Sequence, residues 1–207
     1  MDLTFNVHEN GRTWQVTPQE LRDYALMYGL ESIAAGRYSS LFVLNLMVLE
    51  RLNGLDPFQV IEELKFLEGG RPSLQTKPAS QFKRDHLKGL WHKHFMPSLP
   101  SVMARNIMNH LGKNGTRMIV EEVFDPAKSP VVTRGMVEEL SHRIVIESME
   151  KRGALEKLTG EWIVFAKEDG CNYYLGIWSH TAGDERIASS IKAACVPEFP
   201  FVAKYFS

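Results

Sequence analysis

Cysteine is nearly missing from this chain. Among 207 residues there are two, Cys171 and Cys195, and no Cys-x-x-Cys pair. That spacing excludes a zinc ribbon and a disulfide scaffold. Charge of one sign is missing too. The net charge is −1, which excludes a bulk nucleic-acid coat and a polybasic membrane-surface protein. An anionic ligand would have to be met by a local patch. Long hydrophobic runs are absent. The longest, Leu41 to Leu49, is interrupted by Asn45 and falls far short of a membrane span. Met1-Asp2-Leu3-Thr4-Phe5 carries no basic stretch leading into an apolar one, so the expectation is a cytoplasmic protein with no membrane partner. Phosphate-loop glycines, a Gly-x-Ser-x-Gly elbow and a His-Glu-x-x-His helix are also lacking. Cofactor binding has no support.

What is present is ordinary for a folded chain: 44% hydrophobic and 24% charged residues, enough for a real core. Phe5, Val7, Trp14 and Val16 alternate about Asn10-Gly11, which predicts a β-hairpin. Thr17-Pro18-Gln19-Glu20 reads as a capping box opening a helix to about Tyr28. Ser39 or Ser40 opens a second helix, closed near Asn53-Gly54. Asp56-Pro57 opens a third, stopped by Gly69-Gly70. Residues 1–70 are therefore a scaffold of hairpin and helices, 71–78 a candidate joint, and 79–207 an α+β domain carrying the site.

Within that second part the pattern predicts a helix from Val102 to His110, ending near Gly112, and a short strand from Arg117 to Phe124. A long helix capped by Thr133 should run to about Arg152. Strands follow over Glu161–Lys167 and Tyr173–Trp178, turning at Asp169-Gly170, and Asp184 caps a last helix to about Cys195. The fold class is α+β: a helical N-terminal half with a β-hairpin, then a small antiparallel sheet packed on helices.

The chemistry is concentrated in residues 82–95, where three of seven histidines and four of 24 Lys and Arg residues fall within 14 positions. Histidine changes charge near neutral pH, and lysine and arginine attract phosphate. The pattern leans to helix before Gly89 and to an extended segment after it. An extended segment puts His92 and His94 on one face and Lys93 on the other. The bland reading is a solvated basic face held down by Trp91 and Phe95. The functional one adds Trp91 as a stacking surface. A second constellation, Ser179-His180-Thr181 with Asp184 and Arg186, lies between a predicted strand and a helix N-terminus, where anions are favoured. Asp184 is there a helix cap or a group that orients His180. Zinc held by His92 and His94 with His180 or His86 competes with these readings, although the interleaved lysines oppose a divalent cation.

Leu87-Lys88-Gly89-Leu90-Trp91-His92-Lys93-His94-Phe95, with Gly160-Glu161-Trp162-Ile163-Val164-Phe165 and Tyr173-Tyr174-Leu175 leading to His180 and Asp184, resembles bacterial mobile-element proteins and the barnase–EndoU–colicin–RelE class of nucleases. That resemblance implies a compact sheet on helices presenting His, Lys, Arg or Thr to RNA without a metal, often as a toxin with an antitoxin-like or host protein partner.

The leading expectation is metal-independent RNA cleavage. His92 or His94 and His180 would be the acid–base pair, Lys88, Lys93, Thr181 and Arg186 the substrate contacts, and Trp91 the stacking surface. The alternative is a non-catalytic binding protein that engages a host protein or nucleic acid through the basic-aromatic block.

Overall fold

Thr17 starts the helical layer as a capping box requires. Its hydroxyl accepts from the Glu20 amide at 3.2 Å, and the Glu20 carboxylate accepts from the Thr17 amide at 2.8 Å. A computed structural model describes residues 4–9, 12–70, 76–96, 100–154, 161–179 and 181–206. Strands β1 (Phe5–Glu9) and β2 (Arg12–Val16) pair antiparallel. The Asn10-Gly11 turn expected between them lies outside the described residues.

Helices α1 (Pro18–Met27), α3 (Ser40–Asn53) and α4 (Phe58–Leu67) stand where the caps and stops put them. A short α2 (Leu30–Ala34), entered through Gly29 at φ 68°, is additional. The chain then forms β3 (Ser80–Gln81), β4 (Trp91–Phe95), β5 (Glu161–Glu168) and β6 (Cys171–Trp178), an antiparallel sheet ordered β3-β4-β5-β6. Helix α8 (Asp184–Ala194) and a 3-10 turn (Pro200–Tyr205) close it. The fold is α+β.

Both faces of this sheet are covered. Phe95, Ile163, Phe165, Tyr174 and Ile177 pack on α3 and α4 through Phe42, Leu46, Met47, Ile61 and Leu64. On the other face Val164, Ala166 and Leu175 meet Ile187, Ile191, Cys195 and Val202, with Leu87 and Leu90 closing the rim. Burial of such side chains, each worth about 1.5–3 kcal/mol, is what holds the layers together.

One extra residue, Leu175, bulges β6 against β5. The groups this strips from the ladder find partners in the helices. The Leu175 carbonyl accepts from the Ser39 hydroxyl at 2.8 Å and the Cys195 thiol at 3.3 Å, and the Ile177 amide donates to Asn45 Oδ1 at 3.1 Å. Ser39 also caps α3, accepting from the Phe42 amide. Nearby, the Glu68 carboxylate collects Arg37, the Tyr174 hydroxyl and Asn172. Burial alone would raise its pKa, but these hydrogen bonds outweigh that and hold it below the usual carboxylate value.

Several expectations are corrected. Residues 79–207, read as one domain, divide between two units. Residues 1–73, 78–97 and 160–207 form the first, and 74–77 with 98–159 form the second. Arg117–Phe124 is no strand: α5 runs from Pro100 to Val123, broken only by the non-helical backbone of Gly112 (φ 66°, ψ −166°). Thr133 does cap a helix, α6 (Arg134–Ser141), which continues through a π turn (His142–Ile146) into α7 (Glu147–Ala154). Before Gly89 the chain makes turns rather than a helix. No described helix is long and apolar enough to cross a membrane.

Candidate functional site

The segment linking β3 to β4 is pinned at both ends. The Phe82 amide donates to the Leu90 carbonyl at 2.8 Å, and the Gly89 amide donates to the Phe82 carbonyl at 3.1 Å. Leu87 and Leu90 plug into the core. With those two inside, Lys83, Arg84, Asp85, His86 and Lys88 are exposed. Two residues bend the backbone for this. His86 has φ 71°, an uncommon left-handed conformation for a side chain larger than glycine. Gly89 has φ 92°, and a Cβ there would come within 3.0 Å of the Tyr205 ring.

The turn forms one wall of an open cleft of about 760 Å³. Asp85, His86 and Lys88 face α8, whose Glu185, Ala188, Ser189 and Lys192 recur at the three- and four-residue spacing of one helical face. Lys204, Tyr205 and Phe206 close the end. Lys204 is ion-paired with Glu168, and the Tyr205 hydroxyl donates to the Lys167 carbonyl at 3.2 Å. Lysines from three separate elements therefore converge on one hollow, with Asp85 and Glu185 as its carboxylates. Sequence reasoning singled out Lys88 but missed Lys192, Lys204 and Tyr205. The α8 face was readable as a helical stripe, whereas the return of the C-terminal turn carried no local signal.

The His92-Lys93-His94 tripeptide is extended, with both imidazoles on the α8 side of the sheet and Lys93 on the other. Its register sets His92 against Val164 and His94 against Trp162. The His92 ring lies 4.4 Å from Phe82, 5.3 Å from Trp162 and 5.4 Å from His94, and Nε2 is 3.2 Å from the Ser80 hydroxyl. His92 is half-buried and His94 is only 5% exposed. Lys93 is 1% exposed, its Nζ 3.2 Å from Glu63 and 5.3 Å from the Phe66 ring. It faces the helical layer, so the expected role of Lys93 as a phosphate contact is corrected to a core ion pair.

Trp91 is half-buried, stacked on Phe165 at 6.3 Å, and Lys167 Nζ sits 4.0 Å over its ring. Its exposed flank is already taken by a cation.

In the second constellation, Thr181 is exposed and its hydroxyl lies 2.8 Å from that of Ser179. Arg186 is exposed on α8. The cap position of α8 is Gly183, so Asp184 is its first residue and not the cap. Asp184 and Glu185 together fill the first turn with negative charge. They answer the helix dipole themselves and disfavour an anion there. His180 lies outside the described residues, and so does its expected pairing with His92 or His94. Among the described residues no three His, Cys, Asp or Glu side chains gather as metal ligands.

The cleft brings His86 and Lys88 of the first constellation to the outer face of α8, whereas Thr181, Asp184 and Arg186 of the second do not line it. His94 and Lys93 take no part. Comparison with protein-family models, with curated proteins and with solved structures finds no match.

Proposed function

We propose that the chain is a non-catalytic binding module that grips single-stranded RNA through the turn at residues 83–88 and the adjoining cleft. One observation carries this reading. The cations of the basic-aromatic block that remain exposed, Lys83, Arg84 and Lys88, all lie in the turn beside Lys192, while His94 and Lys93 point into the protein. Phosphate contacts need exposed cations and tolerate any base. The acid–base cleavage expected from the sequence uses a pair of accessible imidazoles at one phosphate, and the burial of His94 removes one of the candidates.

Cleavage of RNA stands as the second reading because His86 is exposed in the cleft with Lys88. It would take the place of His94 as a proton-transfer group.

Anisotropy of a labelled single-stranded RNA in EDTA, followed by a denaturing gel of the same samples, tests both. With about four phosphates neutralised, affinity should fall about 50-fold between about 50 and 200 mM salt, and the RNA should stay intact. Shortened RNA would overturn the binding-only reading. Intact RNA with no binding at low salt would overturn both.

A further inference from the structure

A second cavity, of about 240 Å³, opens between α1, the start of α3 and the segment before the 3-10 turn. It shares no lining residue with the basic cleft, and all of its walls belong to the first unit. Pro18, Leu21, Arg22 and Ala25 come from one face of α1, at the three- and four-residue spacing of a helix, and Tyr38, Ser40 and Val43 complete the wall from the α3 side. Leu21, Ala25 and Val43 are at most 4% exposed, so the floor is core. Of the lining residues only Arg22 and Glu198 carry charge, one of each sign. Glu198 is held by a residue distant in sequence: its Oε2 accepts from the Ser40 amide at 2.9 Å. That bond fixes the carboxylate and answers the positive end of α3. Its other oxygen takes no donor among the described residues and keeps its lone pairs. Arg22 is exposed and gives one N–H to the Gln19 side chain at 2.8 Å, which leaves most of its donors open.

We propose that this cavity binds a free α-amino acid with an apolar side chain. Small-molecule sites are concave and mostly apolar, with a few polar groups that fix orientation. Here the floor suits a hydrocarbon group, and opposite charges in one cavity suit a zwitterion. The ammonium donates to Glu198 and the carboxylate accepts from Arg22, both through charge-assisted hydrogen bonds. The side chain covers Leu21, Ala25 and Val43. Size narrows the class further. The volume lies below the about 300–1,000 Å³ of sites for drug-sized ligands and equals roughly eight waters at about 30 Å³ each. That holds an amino acid and is too small for a nucleotide. A plain hydrocarbon would strip water from Glu198 without returning a donor. A simple anion would be opposed by the same carboxylate, and a simple amine would leave Arg22 unused.

Titration of the full chain with L-leucine, followed through its backbone amide resonances, tests the assignment. Saturable shifts are expected on Leu21, Ala25, Ser40 and Val43 at millimolar or lower concentration. N-acetyl-leucine lacks the ammonium and leucinamide lacks the carboxylate. Each should bind at least about tenfold more weakly, the loss of one hydrogen bond between charged groups. Glu198→Gln keeps an acceptor for the Ser40 amide and should remove the preference for leucine over N-acetyl-leucine. Arg22→Met keeps an unbranched stem and should remove the preference for leucine over leucinamide. A purely structural role for either residue would leave both preferences in place. No saturable shift at these positions with leucine, valine or phenylalanine would overturn the proposal. So would N-acetyl-leucine or leucinamide bound as tightly as leucine, the second result marking a site for an amine or a peptide N-terminus instead.

Discussion

Lys93 Nζ lies 3.2 Å from a Glu63 carboxylate oxygen, and both side chains are almost wholly buried. This pair ties β4 to α4 across the layer boundary. It explains why a lysine in the most basic stretch of the chain is not at its surface. The Phe66 ring beside it supplies further electrostatic contact.

Removing one member of that pair leaves a charge buried without its counterion. Glu63→Gln should therefore cost about 3–5 kcal/mol, read as a fall in urea midpoint, while Lys93→Met with Glu63→Leu should cost far less. RNA binding by the double variant, measured under folding conditions, should match wild type. Binding lost in a folded Lys93→Met, Glu63→Leu chain would return Lys93 to the ligand site.

Gly89→Ala probes the support of the cleft. Both the left-handed backbone and the Tyr205 ring oppose a methyl group at this position. A stability loss of about 1–3 kcal/mol is expected, together with weaker RNA binding as the turn and Tyr205 move apart. Full retention of both in a calorimetric and anisotropy comparison would show that the turn geometry is not needed.

The sheet strands were the most legible part of the fold. Alternation around Asp169-Gly170 placed β5 and β6 within two residues of their observed ends. Caps at Thr17, Ser39 and Thr133 are properties of the nearest three or four residues, so they read directly. Residues 117–124 misled because Met118-Ile119-Val120 satisfies a strand as well as a helix, and the helices that α5 packs beside, α6, the π turn and α7, come later in the chain than a local pattern can read. The site was half legible for the same reason. Lys88 and the opposite faces of His92 and Lys93 follow from local pattern. The approach of α8 and Tyr205 to the turn does not, and neither does the depth at which the His94 face is packed.

Alkaline pH should weaken the fold. Burial pushes the Cys195 thiol up to about 12, with the nearby Ser39 hydroxyl acting in the opposite direction. Burial and then the Glu50 carboxylate push the Tyr28 hydroxyl up to about 12. In the unfolded chain both release protons at lower pH, so above about pH 9 the unfolded state binds fewer protons and stability falls as pH rises toward 12. Urea midpoints at increasing pH check this; a flat profile between pH 9 and 11 would contradict it.

The same burial separates the two thiols. Cys171 is exposed and Cys195 is buried. A thiol reagent at mildly alkaline pH should label Cys171 alone in the native chain and both in denaturant. Fast native labelling of Cys195 would mean that the α8 layer opens readily.

The central claim is that the exposed turn and the α8 face, rather than the histidine pair in the sheet, meet the ligand. Backbone amide resonances followed during titration with a short single-stranded RNA test it most directly. The largest shifts should fall on residues 83–88, Ser189 and Lys192, should vanish in Lys88→Glu with Lys192→Glu, and should leave His94 and Trp162 nearly unmoved. Shifts centred on His92, His94 and Trp162, with the turn unaffected, would contradict the account.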